Sequence, residues 1–199
     1  MYSISTSTID VSSIIRKSHS NGFVAFLATG SVPVMPRSID GIEKAVSGVD
    51  ALLERKLVGN NVVIVGGGLV GCEIAYGYAK EGRQVTIVEA LDQILNLNNV
   101  PGMNKAMLLD AFEYYGVQIY TGTRLKSVQD EGALVELPDR TEKKLAADTV
   151  ILSIGYRPLP SMKESLSESG IAVYEIGDGH KVGNVMSCIA EAYETTVNI

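Results

Sequence analysis

The sequence has few of the residues that mark secreted or metal-binding proteins. It contains two cysteines, two histidines and no tryptophan in 199 residues. Because Cys72 and Cys188 lie far apart in sequence, neither a disulfide framework nor a CxxC redox pair is expected. Neither His19 nor His180 has Cys, Asp or Glu beside it at metal-ligand spacing, so we expect no metal site and place both histidines at the surface.

Positive charge and long apolar runs are also scarce. The chain has 17 basic and 23 acidic residues, a formal net charge of −6, and no basic stripe suited to nucleic acid or an anionic membrane. No apolar run approaches the roughly 18 residues that a membrane-spanning helix needs, and the N-terminus lacks the pattern of a secretion signal. We therefore expect a cytoplasmic protein with no nucleic-acid or membrane partner.

The order of secondary structure in the centre of the chain predicts an α/β fold. The segment "NVVIV" is a strand, residues 69–81 form a helix and "RQVTIVEA" is a second strand, which together make a βαβ unit. A helix over 103–115 and the strand "VQIYTGT" follow. A hairpin around residues 130–132 and the buried strand "DTVILSIG" come next. A further helix is predicted over residues 43–56.

These elements predict two domains, one inserted into the other. Residues 57–150 have the elements of a complete Rossmann-like nucleotide-binding domain, with a parallel sheet and a β-hairpin or meander. The flanks, residues 1–56 and 151–199, are interpreted as discontinuous pieces of a second domain.

A glycine cluster lies where the first strand of the βαβ unit meets its helix. In Gly66-x-Gly68-x-x-Gly71, the first glycine permits a tight turn, the second lets a pyrophosphate approach the backbone, and the third lets helix and strand pack closely. Free N–H groups at the helix start would hold the negative charge. The predicted dinucleotide-binding residues here are Gly66, Gly67, Gly68, Leu69, Val70 and Gly71.

Glu89 ends the next strand, about twenty residues further on, where a carboxylate accepts hydrogen bonds from the hydroxyls of the adenosine ribose. The 2′-phosphate of NADP would meet the negative charge of this side chain, and "EALDQILNLNN" offers no Arg or Lys to compensate. The pattern therefore favours NAD(H) over NADP(H).

Glu73 permits two interpretations. A carboxylate near the start of the helix is favoured by the helix dipole but would repel a bound pyrophosphate, so its side chain must point aside. It lies either near the nicotinamide or a flavin, or serves only as an acid that stabilises the first helical turn.

Four segments resemble the flavoprotein oxidoreductases that bind two dinucleotides, and within them the C-terminal portion of the 2-enoate reductase and 2,4-dienoyl-CoA reductase family. They are, in order, "FLATGSVPVMP", "VVIVGGGLVGCEIA", "DTVILSIGYRP" and "YEIGDGHKVGNVMSCIAEAYE". The resemblance implies that the flanks belong to an FAD-type domain and that the chain is part of an NADH-dependent flavoenzyme. Electrons would pass from NADH to a flavin and onward to an enoate or enoyl-thioester.

The resemblance also implies roles for residues outside the glycine cluster. Thr29 and Gly30 would lie close to FAD, and Gly155 would belong to the dinucleotide-binding set. Gly177 would let the flavin cofactor approach the backbone, and Asp178 would accept a hydrogen bond from a ribityl hydroxyl. No residue of the chain is identified as catalytic.

The sequence departs from this family in lacking a second GxGxxG, an FMN-binding barrel and the cysteines of an iron–sulfur cluster. We therefore expect a fragment that is inactive alone, retains FAD weakly or not at all, and has the missing remainder of the flavoenzyme as its partner. Two alternatives stay open at this point: a non-catalytic NAD-binding regulatory module, and a domain whose glycine cluster holds FAD.

Overall fold

The protein is described by a computed structural model that covers residues 24–96, 102–168 and 170–198. Tertiary contacts divide these residues into one unit of residues 33–155 and another of residues 24–32 with 156–198. His19 and the start of the predicted flank of residues 1–56 lie outside the described residues. The domain bounds at 57 and 150 stay a prediction.

Twelve strands and five α-helices lie within the described ranges. The strands are β1 (Val24–Leu27), β2 (Ser31–Pro33), β3 (Val46–Ser47), β4 (Asn61–Val65), β5 (Gln84–Val88), β6 (Gln118–Tyr120), β7 (Arg124–Gln129), β8 (Gly132–Glu136), β9 (Glu142–Ala146), β10 (Thr149–Leu152), β11 (Tyr156–Pro158) and β12 (Ala172–Glu175). The helices are α1 (Gly48–Leu52), α2 (Leu69–Lys80), α3 (Gly102–Tyr115), α4 (Lys163–Ser167) and α5 (Val185–Val197).

The unit of residues 33–155 is built on a parallel sheet. Its strands lie in the order β3, β10, β4, β5, β6, and each neighbouring pair is parallel. Strands β7, β8 and β9 form a separate antiparallel sheet. The predicted α/β fold, with its parallel sheet and hairpin, is therefore confirmed.

Both faces of the parallel sheet are covered, which explains why its strands are almost continuously apolar. Along β4, Val62 and Ile64 belong to a core cluster shared with α2 and α3. Val63 and Val65 belong to a second cluster, shared with β8 and β9. Alternate side chains of β4 thus pack against the helices on one face of the sheet and against the antiparallel sheet on the other.

The predicted helix over residues 43–56 is wrong in extent. A 3-10 turn spans Ile42–Lys44, β3 follows, and only Gly48–Leu52 is α-helical. Val46 pairs with Ile151, and Ser47 caps α1 by accepting a hydrogen bond from the N–H of Asp50. Pairing with a distant strand overrides the local helical pattern, as tertiary contacts often do.

The unit of residues 24–32 and 156–198 has a smaller core. β1 and β12 form a two-stranded parallel sheet, and β2 pairs with β11. Leu27, Leu166, Ile171 and Val173 make up its buried apolar cluster. Helix α5 buries none of its residues, and it exposes five large apolar side chains, namely Val185, Met186, Ile189, Tyr193 and Val197.

No helix in the described part of the chain combines the length and the hydropathy needed to cross a bilayer.

Candidate functional site

The glycine-rich loop lies at the carboxyl edge of the parallel sheet. It follows the last residue of β4, and Gly68 forms the N-cap of α2. Glu89 follows the last residue of β5, the neighbouring parallel strand. The loop, the helix start and the acid therefore meet at the edge where open α/β sheets bind ligands.

Gly66 and Gly71 are held by close packing of the backbone. Gly66 has a φ of 112°, and a Cβ atom on it would lie 2.2 Å from the carbonyl oxygen of Ser153. A Cβ atom on Gly71 would lie 2.0 Å from the carbonyl oxygen of Gly66. The first and last glycines thus let the loop and the first turn of α2 approach each other.

Gly68 differs from its neighbours because its surroundings are open. A Cβ atom there would meet no atom within 4 Å, and its φ of −70° is available to any residue. In the part of the chain that the structure describes, the N–H groups of Gly68, Leu69, Val70 and Gly71 donate to no protein acceptor. Four adjacent donors without protein acceptors thus lie at the positive end of the α2 dipole, beside the open space at Gly68. This arrangement is suited to an anion.

The backbone N–H and carbonyl oxygen of Gly67 are both hydrogen-bonded within the protein. Its N–H donates to Oε2 of Glu89 at 2.6 Å, and its carbonyl oxygen accepts from the N–H of Leu95 at 2.7 Å. The Sγ of Cys72 lies 3.4 Å from the same carbonyl oxygen. Gly67 therefore shapes the loop and has no free N–H for a ligand.

Glu89 is half-buried and uses both carboxylate oxygens. Besides Gly67, the N–H of Leu91 donates to its Oε1 at 2.8 Å. A carboxylate has about four acceptor positions, so two remain for other donors such as sugar hydroxyls. Residues 90–96 contain no Lys or Arg, and Asp92 among them is exposed.

Glu73 lies beyond the first turn of α2, which contains no acidic residue. The expectation of a first-turn acid is therefore corrected, because the helix begins at Leu69 and Glu73 is its fifth residue. Its side chain is exposed. The dipole of α2 acts mainly on the first turn, so Glu73 lies beyond its main influence.

Cys72 lies in α2, where its side chain contacts the glycine-rich loop, and the pKa of its thiol is raised. Its side chain is fully buried, and burial, helped by the carboxylates of Glu89 and Glu73, raises the pKa of the thiol to about 12. We expect a thiol-specific reagent at pH 8 to modify Cys188, which is half-buried, and to leave Cys72 unmodified until the chain is unfolded.

Ellman's reagent measures this difference directly. One equivalent is expected in the native state and two equivalents in denaturant. The native equivalent should react more slowly than a free thiol, because burial and the carboxylate of Asp178 raise the pKa of Cys188. The variant Cys188→Ser is the control and should remove the native equivalent. Two equivalents in the native wild type would contradict the buried position of Cys72.

The second unit contains an open cavity of about 650 Å³. Gly30, Gly177, Asp178, Val185 and Ile189 are among the residues that line it. For three of them, Gly30, Gly177 and Asp178, the family resemblance implies a place close to a flavin cofactor. The structure therefore brings these three together around one concave surface.

Asp178 is held by protein donors at the edge of this cavity. Its carboxylate accepts from the N–H of Gly183 at 3.0 Å and from Oγ of Ser31 at 2.9 Å, and these bonds hold its pKa below the ordinary value. Gly177, with a φ of 64°, donates its N–H to Oε2 of Glu191 at 2.6 Å. Glu191 also contacts Nδ1 of His180.

Thr29 and Gly155 complete the predicted set. Thr29 packs against Gly179, where a Cβ atom would lie 2.8 Å from the Thr29 Oγ1. Gly155 has a φ of 101°, and its carbonyl oxygen accepts from the N–H of Val34 at 3.0 Å. The roles of all the predicted site residues in binding a cofactor stay predictions.

Sequence reasoning missed the residues that hold the loop in place. Ile94 packs so closely on Gly67 that a Cβ atom there would lie 2.4 Å from its Cγ2. Leu95 is buried and has a φ of 53°. A leucine in the left-handed backbone region cannot be predicted from sequence, because bulky residues rarely adopt that conformation. The apolar pair "IL" in a polar segment was the only available sign.

Comparison with known families gives one match over most of the chain. The profile of the family described as pyridine nucleotide-disulphide oxidoreductase matches residues 24–180. The match includes the glycine-rich loop, Glu89 and Asp178.

Individual relatives agree with this match. Cinnamate reductase of Clostridium sporogenes is 37% identical over 177 residues, which cover 87% of this chain and 26% of that protein. NADH oxidase of Thermoanaerobacter brockii is 32% identical over 180 residues, covering 87% of this chain and 27% of that protein. The chain thus spans about a quarter of the length of these relatives. The resemblance to the enoate reductases noted in the sequence is confirmed.

A solved structure shows the same fold. A complex of 2-naphthoyl-CoA reductase with 2-naphthoyl-CoA superposes with a TM-score of 0.79 at 23% identity. The superposition covers 95% of this chain and 28% of the other. At that identity the likeness concerns the fold alone.

Proposed function

Because the chain belongs to the pyridine nucleotide-disulphide oxidoreductase family, we propose that residues 57–150 bind NADH within a longer flavin-dependent oxidoreductase. One observation carries the proposal: in the described part of the chain, four adjacent N–H groups at the start of α2, from Gly68 to Gly71, have no protein acceptor. NADH supplies a hydride and a flavin accepts it. The chain's own residues bind and orient the dinucleotide.

The pyrophosphate is proposed to lie against Gly68. This position alone in the glycine cluster combines a free N–H with open space at Cα, while Gly66, Gly67 and Gly71 pack against protein atoms. Donors fixed by the helix need no rearrangement to meet the anion. Leu69 and Val70 contribute their N–H groups and not their side chains.

Glu89 is proposed to select NADH. Its two unused acceptor positions suit the ribose hydroxyls, while its charge repels a 2′-phosphate in the same place. No cation among residues 90–96 offsets this carboxylate.

Calorimetric titration of the wild-type chain with NADH, NADPH and FAD tests this assignment. We expect NADH to bind about tenfold or more tightly than NADPH, because one carboxylate–phosphate repulsion near a protein surface is worth at least about 1.4 kcal/mol. The ratio should fall as salt is added, since screening weakens the repulsion. Tighter binding of NADPH would show that Glu89 has been misassigned. Binding of neither nucleotide would refute the proposed function.

The cavity in the second unit is proposed to receive part of a flavin cofactor. Gly30 and Gly177 let a ligand approach the backbone there, and Asp178 is kept ionised as a hydrogen-bond acceptor. The sequence has no second glycine-rich phosphate cradle. The same titration is therefore expected to show FAD binding weakly or not at all.

The rest of the enzyme is proposed to be the partner of the second unit. A two-stranded parallel sheet is not stable on its own, and α5 leaves five large apolar side chains exposed. The relatives are more than three times as long as this chain. From the name of the cinnamate reductase, we propose an α,β-unsaturated acid or thioester as the final electron acceptor.

A further inference from the structure

We propose that Glu89 is also a positioning residue: it fixes the Gly67 peptide so that the free N–H groups from Gly68 to Gly71 face the pyrophosphate. This inference rests on the proposed function, because it concerns the same loop. It assigns to the carboxylate a role separate from hydrogen bonding to the ribose hydroxyls. The distinction matters for any attempt to change the cofactor preference.

The first argument is that the Gly67 peptide unit is held on both sides. Glu89 accepts its N–H at 2.6 Å, and Leu95 donates to its carbonyl oxygen at 2.7 Å. The side chain of Ile94 leaves no room for even a Cβ atom at this position. The orientation of Gly67 sets the direction in which the chain enters Gly68 and the helix.

The second argument is that Glu89 itself is anchored. Its N–H donates to the carbonyl oxygen of Tyr120 at 2.8 Å, and its own carbonyl oxygen accepts from the N–H of Thr123 at 2.9 Å. Its Oε1 accepts from Leu91, whose carbonyl oxygen in turn accepts from the N–H of Gly122 at 2.6 Å. These hydrogen bonds hold Glu89 in place, and its carboxylate thus links the loop to the end of β6 and the residues that follow it.

The consequence for cofactor preference is that Glu89 cannot be exchanged without cost to the loop. Removing the carboxylate removes the repulsion of a 2′-phosphate, but it also leaves the N–H of the buried Gly67 without its acceptor. Both NADH and NADPH should then bind more weakly. A single substitution at this position should therefore fail to produce tight binding of NADPH.

Ligands without ribose hydroxyls separate the two roles. We compare calorimetric affinities for ADP and 2′,3′-dideoxy-ADP in the wild type, Glu89→Ala, Glu89→Gln and Asp92→Asn. If Glu89 served only to bind the ribose hydroxyls, Glu89→Ala would bind dideoxy-ADP as tightly as the wild type. It could even bind more tightly, because the substitution removes a negative charge near the phosphates. The positioning role predicts the opposite sign, about tenfold weaker binding of dideoxy-ADP.

The other two variants serve as matched controls. Glu89→Gln keeps one oxygen that can accept the Gly67 N–H without the charge, so it should recover a large part of the affinity for dideoxy-ADP. Asp92→Asn removes an exposed charge from the same segment and should leave that affinity unchanged or slightly higher. Equal affinity of Glu89→Ala and wild type for dideoxy-ADP would overturn the inference.

Hydrogen exchange in the ligand-free chain provides a second measurement that does not depend on binding. In Glu89→Ala, peptides covering residues 66–72 should exchange faster, while peptides from the end of α2 should not change. Unchanged exchange at the loop would refute the positioning role. Faster exchange in a protein that binds no nucleotide even as wild type would support the positioning role and refute the proposed function instead.

Discussion

Gly68→Ala is expected to fold normally and to bind NADH about tenfold or more weakly than the wild type. The new methyl group meets no protein atom within 4 Å, and the backbone of Gly68 is extended, so the free protein accommodates it. That open space is where the pyrophosphate is proposed to approach the backbone. The methyl group would push the phosphate away from the N–H groups of the helix start. Calorimetric titration measures the loss.

The stability of this variant is the control for its binding. An N-cap alanine costs at most about 1 kcal/mol relative to glycine, and the lower entropy of the unfolded chain offsets part of that loss. The unfolding midpoint should therefore stay close to that of the wild type. Unchanged affinity for NADH in a folded Gly68→Ala protein would mean that the dinucleotide does not lie against this loop.

Gly71→Ala, three residues further along, is expected to lower the free energy of unfolding by about 2 kcal/mol or more. Its methyl group would lie 2.0 Å from the carbonyl oxygen of Gly66, which belongs to the backbone and cannot rotate away. Either the first turn of α2 or the end of β4 must shift. Urea unfolding followed by circular dichroism measures the change.

Gly77→Ala is the matched control, because it makes the same substitution in the same helix. A Cβ atom on Gly77 meets nothing within 4 Å, and the position is exposed. Alanine is the better helix former, so this variant should be more stable than the wild type by about 0.5–1 kcal/mol. Two substitutions that change α2 identically in composition are thus expected to have opposite effects on stability. A stable Gly71→Ala protein would contradict the close packing of loop and helix.

The sequence was sufficient to predict the βαβ unit and its parallel strands. Local signals agreed there: an apolar strand, glycines at the turn and a helical run that begins at Leu69. Glu89 was predicted to end the second strand, and it lies one residue after Val88, the last residue of β5. The family resemblance implied places close to a flavin cofactor for Gly30, Gly177 and Asp178. The structure places all three along one cavity, and their roles in binding stay predictions.

Features that depend on distant contacts could not be predicted in this way. Val46 leaves the helical pattern because it pairs with Ile151, more than a hundred residues away. The two hydrogen bonds of Gly67 come from Glu89 and Leu95, and nothing in the glycine motif distinguishes a bound N–H from a free one. Local patterns locate a binding loop, but the contacts that fix its shape are set by tertiary structure.

The position of β10 in the sheet has a consequence for the way the chain is made. This strand lies between β3 and β4, yet about a hundred residues separate it from β3 in sequence. As the polypeptide leaves the ribosome, the edges of β3 and β4 that pair with β10 stay unpaired until residues 149–152 have emerged. Apolar edges exposed during synthesis invite pairing with other nascent chains. A chaperone that shields these edges until residues 149–152 have emerged would therefore raise the yield of folded protein.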